Sequence, residues 1–440
     1  NVGDLQISTN TVEGLTTAGD VSLEVNGDLT INKNLDAAGR TVFLDVTGVT
    51  QAVGGAVKAG SLALSGGDYF LNGDNAVDVI ASDAGTLFFS NAGDLEVGEV
   101  TVTDRLGNSR DIVGIDNSGD VSLGAYGGSA GVHIAKQLKV AGSNVFISAD
   151  GDVTQDADGA ITAAALILNL IGGGADLTQA DNKVNALSGS ATGDIAYFNN
   201  GDLRVEGAPF FENLSSGGDI RLHINGNLNI EEVLDASAGN VFLDVTGVTS
   251  QEEGGAIKAA GLALSGGDYH LDGVGNEVGK IASNAGELFF HTYHDLEVGA
   301  VTVADRFGNS RDIVGIDNSG NVWLASIGSI HIGKQLKAVG RDVTVNSMTI
   351  SDVTQSAEGA ITAAWLELGL VGSVDLTQAD NKVEALAGVN TGDIAFFNNG
   401  DLRVEGVYSV GDISLRVNGD LHLEEALSAH RNIHLGVSGT

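Results

Sequence analysis

The chain repeats itself, and this constrains its fold more than any other property. A stretch beginning Val49-Thr50-Gln51 runs through Gly55-Ala56-Val57-Lys58-Ala59, Leu62-Ala63-Leu64 and Asn75-Ala76-Val77 to Phe88-Phe89 and Gly93-Asp94-Leu95-Glu96-Val97. It returns from Val153, with Gly159-Ala160-Ile161-Thr162-Ala163, Asn182-Lys183-Val184, Tyr197-Phe198 and Gly201-Asp202-Leu203-Arg204-Val205. A third copy starts at Val248, with Gly255-Ala256-Ile257-Lys258-Ala259, Asn276-Glu277-Val278, Phe289-Phe290 and Asp295-Leu296-Glu297-Val298. A fourth starts at Val353, with Gly359-Ala360-Ile361-Thr362-Ala363, Asn381-Lys382-Val383, Phe396-Phe397 and Gly400-Asp401-Leu402-Arg403-Val404. Copies one and three are most alike, as are two and four. Val49 to Val248 is 199 residues and Val153 to Val353 is 200, so two related modules of ~100 residues make one long period of ~200. Residues 1–207 form the first long repeat, 208–406 the second, and 407–440 open a third. Repetition on this scale points to units that rest on their neighbours. The 440 residues are therefore read as one continuous solenoid, not as two or three globular domains.

The local pattern is that of strands. Gly19-Asp20-Val21-Ser22-Leu23-Glu24-Val25 and Asp28-Leu29-Thr30-Ile31 alternate apolar and polar side chains, and Val42 to Val46 does so in part. Gly-Asp and Asn-Gly-Asp pairs between them supply turns, because Gly and Asn tolerate positive φ. Ala163 to Ile171 holds good helix formers, but its counterpart Gly60 to Gly66 is short and bounded by Gly, so both read as strands. Asp104-Arg105-Leu106-Gly107-Asn108-Ser109-Arg110-Asp111-Ile112-Val113-Gly114-Ile115-Asp116-Asn117-Ser118-Gly119 reads as a connector, and it recurs from Asp305 to Gly320. Residues 208–217, with Ala208-Pro209-Phe210-Phe211, give way in the next period to the shorter Val407-Tyr408-Ser409-Val410, so a loop should bulge there. Short strands and tight turns allow a sandwich, a barrel or a β-helix. Near-identical repetition selects the last: an all-β parallel solenoid. At about 20 residues per coil it has about 20 coils and, at ~4.8 Å per strand, a length near 100 Å. Asn and Asp at matching turn positions are expected to stack into ladders.

Composition narrows the function. The hydrophobic fraction of 42% supplies a core of Val, Leu, Ile and Ala, since aromatics are only 5%. Gly is abundant at 64 residues, but Pro209 is the single proline, which excludes collagen. A net charge of −37 speaks against nucleic acid and anionic membranes, both of which are held by clustered Lys and Arg. Stacked carboxylates raise calcium as a candidate ligand. Cysteine is absent, so no disulfide or Cys-ligated metal exists. No apolar run is long enough for a transmembrane helix. Asn1-Val2-Gly3-Asp4 is not a signal peptide. It starts in mid-pattern and Gly439-Thr440 ends in mid-pattern, as expected for part of a longer protein.

The repeated Val-Thr-Gln, Gly-Ala-Ile-Thr-Ala, Leu-x-Leu, Asn-x-Val and Gly-Asp-Leu-x-Val elements resemble the repeat region of filamentous haemagglutinin-type exoproteins, large surface adhesins of Gram-negative bacteria exported by two-partner secretion. The resemblance covers nearly the whole chain. It implies a right-handed parallel β-helix, a Cys-free chain suited to an outer-membrane secretion pore, and an extracellular location at the cell surface. The amino-terminal secretion domain of that family, with its Asn-Pro motifs, has no counterpart here.

Candidate chemistry is sparse. His291-Thr292-Tyr293-His294, followed by Asp295, has the look of a close metal pair. It lacks the ligand spacing of a zinc site, and a decorated turn explains it better. Asp150, Asp152, Asp156 and Asp158-Gly159 crowd one turn region but match neither calcium-loop pattern, and they shrink to Asp352, Ser356 and Glu358 in the next period. Leu44-Asp45-Val46 and Leu243-Asp244-Val245 match an integrin-binding tripeptide, but their Leu and Val should face a core. Arg-Gly-Asp is absent. Leu62, Leu166, Leu262 and Leu366 read as core, and Trp365 as either core filler or an exposed contact. No acid–base pair breaks the repeat at one place, as a glycan-cleaving solenoid would require. The expectation is therefore no catalytic, cofactor or metal residues, with calcium the one ligand in question. The role expected is the structural shaft of a secreted bacterial adhesin or extracellular fibre, serving adhesion, cell–cell contact or biofilm. Its partners would be other copies of itself or the glycans and proteins of neighbouring cells. A self-assembling homopolymeric filament or sheath and a polysaccharide-active β-helical enzyme are the alternatives.

Overall fold

A computed structural model describes residues 5–7, 14–104, 106–208, 211–349, 351–370 and 372–439. Asn1 to Asp4, Arg105, Pro209, Phe210 and Thr440 lie outside these. The described chain is all-β, with no helix, and its coils stack as a parallel β-solenoid of about 20 turns at a spacing of about 21 residues. No helix is long and apolar enough to cross a membrane among the described residues. The coils divide into two compact units, residues 1–218 and 219–440.

In the first unit, Val21–Ile31 pairs in parallel with Thr41–Gln51, which pairs with Val57–Asp83. The register sets Val21 beside Val42 and Val42 beside Leu62, so one inward column runs from coil to coil. Further along, Val145, Leu166 and Leu187 form the same kind of column. In the second unit the column is Val241, Leu262 and Ile281, then Val343, Leu366 and Leu386. Leu62, Leu166, Leu262 and Leu366 are fully buried, as expected; each contributes about 2 kcal/mol through burial. Ile161–Leu170 is a strand, and so is Ile361–Leu370. Helix propensity yields there because alternate residues are needed in the core. Trp365 stands beside Asp342 on the outward face, half-buried, so it is not core filler.

Two polar devices explain the most repeated residues. The Gln of Val-Thr-Gln and the Asn of Asn-x-Val form a buried amide pin. Asn182 Oδ1 accepts from Gln155 Nε2 at 2.7 Å and from the Ile161 N–H at 2.9 Å, while its Nδ2 donates to the carbonyls of Leu177 at 2.9 Å and Phe198 at 3.0 Å. Gln51 with Asn75, Gln251 with Asn276 and Gln355 with Asn381 repeat the pin. A corner of the coil leaves backbone groups facing inward, and an apolar side chain there would leave them unpaired.

The second device is the turn Asp, preceded by Gly in most copies and by Ser351 at Asp352. Its carboxylate accepts a backbone N–H from the adjacent coil. Asp20 takes that of Thr41 at 3.0 Å, Asp68 that of Thr86 at 2.7 Å and Asp120 that of Asn144 at 2.8 Å. In the second unit Asp268 takes that of Glu287 at 2.8 Å, Asp352 that of Ser373 at 2.8 Å and Asp412 that of Asn432 at 2.8 Å. The expected turn residues are thus staples between coils, with carboxylate bonded to amide in place of a ladder of like side chains. The Gly-Gly of Gly66-Gly67 serves close approach: a Cβ on Gly67 would lie 1.6 Å from the Thr47 carbonyl oxygen.

Candidate functional site: two anchored hairpins and an acidic recess

The recurring segment read as a connector is an antiparallel hairpin, which departs from the parallel rule of the coils. Glu99–Thr103 pairs with Ser109–Val113 in the first unit, and Ala300–Ala304 with Ser310–Val314 in the second. Each folds back onto an outward apolar column. Val100, Val102 and Ile112 pack on Phe43, Ala63 and Ala81; Val301, Val303 and Ile313 pack on Phe242, Ala263 and Ala282. These are small second cores outside the coils, and alanine in the column leaves room for the hairpin. Arginine clasps each one. The Arg110 guanidinium lies 5.7 Å from the Phe43 ring centroid and 2.7 Å from Asp83 Oδ2, and that of Arg311 lies 5.6 Å from the Phe242 ring.

The tips are locked. Asp104 Oδ1 accepts the N–H groups of Leu106 at 2.8 Å and Asn108 at 2.9 Å, and Oδ2 accepts from Asn108 Nδ2 at 2.9 Å. Asp305 does the same with Phe307 at 2.9 Å, Asn309 at 2.9 Å and Asn309 Nδ2 at 3.0 Å. These bonds, the one from the Asn side chain foremost, hold both carboxyls below the ordinary aspartate range. Gly107 and Gly308 turn the chain at φ of +85° and +82°. The result is a rigid display of one large apolar side chain: Leu106 is 79% exposed and Phe307 is 73% exposed. The Arg306 guanidinium lies 5.8 Å from the Phe307 ring centroid.

The first unit also carries a recess of about 420 Å³ lined by Asp78, Asp94, Glu96, His133, Asp152 and Thr154, lying over the buried Leu95 and Val132. It spans successive coils, since Leu95 stands beside Val132 and Val132 beside Val153. Asp94 and Asp152 are both staples, to the N–H groups of Gly131 at 2.9 Å and Gly174 at 2.8 Å. No Lys or Arg is among the described residues that line it. The second unit differs at this place. Val79 is replaced by Lys280, whose ammonium lies 3.5 Å from Glu297, and Asp78 by Gly279.

The residues singled out from sequence are dispersed. Asp150 accepts the Gly127 N–H at 2.7 Å, Asp156 lies 3.5 Å from His133 Nε2, and Asp158 pairs with Lys136 at 3.0 Å. Asp352 is a staple, Ser356 donates to the Gly333 carbonyl at 2.7 Å, and Glu358 pairs with Lys334. His291 and His294 part company: His291 is buried against Tyr293, with ring centroids 5.1 Å apart, and His294 is exposed, 3.6 Å from Glu277. Burial pushes the His291 pKa down. Asp295 staples the Ser329 N–H at 2.7 Å. No group of three His, Cys, Asp or Glu is placed to hold a metal ion among the described residues.

Leu44, Val46, Leu243 and Val245 are buried, and Asp244 lies 3.3 Å from His223 Nδ1. Of the segment 208–217, where a bulging loop was expected, Pro209 and Phe210 lie outside the described residues. Leu214–Ser216 is a strand of the solenoid beside Gly189–Ala191, and Phe211 turns back onto Phe146 with ring centroids 6.3 Å apart. Sequence reasoning missed the hairpins and the recess. The alternation of Val100, Val102 and Ile112 marked the former, but their seat is an outward column visible only once the register is known.

Fold and site together define a parallel β-solenoid that displays hairpins. Compared with family models, with curated proteins and with solved structures, the chain matches none of them.

Proposed function

We propose that this chain is a non-enzymatic structural shaft of a secreted bacterial surface adhesin or extracellular fibre, delivered through an outer-membrane pore and serving adhesion, cell–cell contact or biofilm. The observation that carries this reading is the use of carboxylates. A solenoid that cleaves glycans needs a pair of carboxyls available as acid and base; here Asp20, Asp68, Asp120, Asp268, Asp352 and Asp412 each bond a backbone N–H of the adjacent coil, and in the recess Asp94 and Asp152 are bonded in the same way. Charge is spent on cohesion and on keeping the sides hydrated. The reading needs no cofactor, and calcium has no part in it. The anchored hairpins favour the second reading, a homopolymeric filament or sheath.

Electron microscopy of producing cells, labelled with antibody against the exposed hairpin 99–113, tests both. Label on short stalks at the cell surface supports the shaft, and regularly spaced label along continuous fibres supports the filament. Absence of label outside the cells sinks both. Release of soluble sugar from acidic polysaccharides by the purified chain would replace them with the enzyme.

A further inference from the structure

We propose that the free edge of the second hairpin, along Ala300–Ala304, pairs with the same edge on a second copy of this chain, so that two hairpins join into one four-stranded antiparallel sheet about a two-fold axis. The inference goes beyond the structural role above and stands without it, because it concerns two molecules in solution wherever they reside.

The coil strands belong to one large sheet, whereas each hairpin is a separate sheet of two strands. Its outer edges have no strand partner among the described residues. The register shows which backbone groups are left over. The Asp305 N–H bonds the Asn309 carbonyl at 3.0 Å, and the Gly315 N–H bonds that of Gly299 at 2.6 Å. By alternation, Val301 and Val303 form the bonded pairs inside the hairpin, and the N–H and C=O groups of Ala300, Thr302 and Ala304 point away from it. Val301 and Val303 are buried on the coils, and Thr302 is exposed. An unpaired edge is a template for a further strand, and chains blunt such edges with Pro, Lys or a bulge. Ala300-Val301-Thr302-Val303-Ala304 carries none of these.

The occupant follows from the edge itself. Turned about a two-fold at Thr302, the segment sets Thr302 opposite Thr302 and Ala300 opposite Ala304, and each such pair exchanges two backbone hydrogen bonds. Facing threonines favour the junction. The opposite edge of the hairpin would set Asp312 against Asp312, and the first hairpin brings Glu99 to its edge; both oppose pairing. Charge agrees. On a chain of −37, residues 300–314 balance Asp305 and Asp312 with Arg306 and Arg311, so repulsion between copies is low there. There is also room. The strand lies over Gly261, where an added Cβ would come within 3.3 Å of Val301. The coil corner beside it holds Ala260 and Gly279, both small and exposed, where the first unit has Asp78 in place of Gly279. The contact is isologous and closes on a pair of copies. It is small, and therefore weak.

The chain has no cysteine, which makes the test direct. Thr302→Cys supplies one thiol per chain, and in the paired sheet two such residues face each other with Cα atoms ~5.5 Å apart, within reach of a disulfide. Mild oxidation should link this variant into dimers roughly tenfold faster, or more, than Thr101→Cys at the same position of the first hairpin. Sedimentation velocity of the parent chain should show a monomer–dimer equilibrium that moves toward dimer as salt is raised, because salt screens the repulsion between copies. Thr302→Lys sets like charges face to face, and Thr302→Pro removes an N–H that the hairpin itself does not use. Each weakens dimerisation by roughly tenfold or more, while Thr101→Lys leaves it unchanged. Thr101 and Thr302 bond Asp111 and Asp312 alike, at 2.6 Å, so loss of that bond is common to test and control. Equal cross-linking of Thr302→Cys and Thr101→Cys overturns the proposal. So does a parent chain that is monomeric at every concentration and salt, and so does dimerisation indifferent to both Thr302→Lys and Thr302→Pro.

Discussion

At the scale of the residue, Asn182 shows what a buried amide does in a coil. It is fully buried and bonds Gln155, Ile161, Leu177 and Phe198 at once. Asn182→Leu keeps the volume and leaves backbone groups unpaired, at a cost on the order of 3 kcal/mol. Hydrogen exchange should show it as lost protection at Ile161 and its neighbours. The third module bears a natural lesion of a related kind. Where Asn91, Asn199 and Asn398 accept a backbone N–H at 2.9 Å, Thr292 accepts that of Val278 at 3.3 Å. Thr292→Asn should raise stability by about 1 kcal/mol, read as a shift in thermal midpoint. His291 next to it brings a dependence on pH. Burial lowers its pKa below 6.5, so the unfolded chain binds the proton more readily. Stability is complete above pH 6.5 and falls as the pH drops from there through the lowered folded value. His291→Gln should flatten the midpoint across that window.

At the scale of the element, the hairpins are modules fastened to the outside. Val303→Ser removes part of the cluster that seats the second hairpin and should loosen it by about 1–2 kcal/mol. Exchange at Ala300–Val314 should then speed up, while amides of the coil strand Ala256–Leu271 remain protected. Equal loss in both would mean that the hairpin is part of the coil core. The elements also show how far the sequence could be read. Strands such as Ile161–Leu170 were legible, because alternation and repetition report a core that every coil shares. The Gln and Asn of the repeat were visible as a pattern but not as a pair, since Gln155 and Asn182 meet only through the coil's path. Asp104 to Gly119 was legible as recurring and was read as a connector, because its partner surface, Phe43, Ala63 and Ala81, looks outward and is assembled from separate coils. The recess was illegible for the same reason: Asp78, Asp94 and Asp152 come from separate coils.

At the scale of the whole molecule, charge and cohesion oppose each other. With −37 overall, exposed carboxylates repel one another in the folded state. The thermal midpoint at neutral pH should therefore rise as salt is added, until screening is complete near the Debye length of ~8 Å at physiological ionic strength. A midpoint that falls with salt would mean that ion pairs such as Lys139 with Asp116 outweigh repulsion. The staples bear on how the chain comes to be folded. Asp152 reaches Gly174 and Asp120 reaches Asn144, spans of 22 and 24 residues, and even the clasp from Arg110 to Ser65 closes over only 45. Parallel β-structures ordinarily fold slowly because their partners lie far apart along the chain. Here each finished coil presents to the segment just behind it a waiting row of backbone groups and a carboxylate. A chain emerging end first from a ribosome or through a narrow pore could set its coils one at a time, and each could act as a ratchet tooth against the chain slipping back.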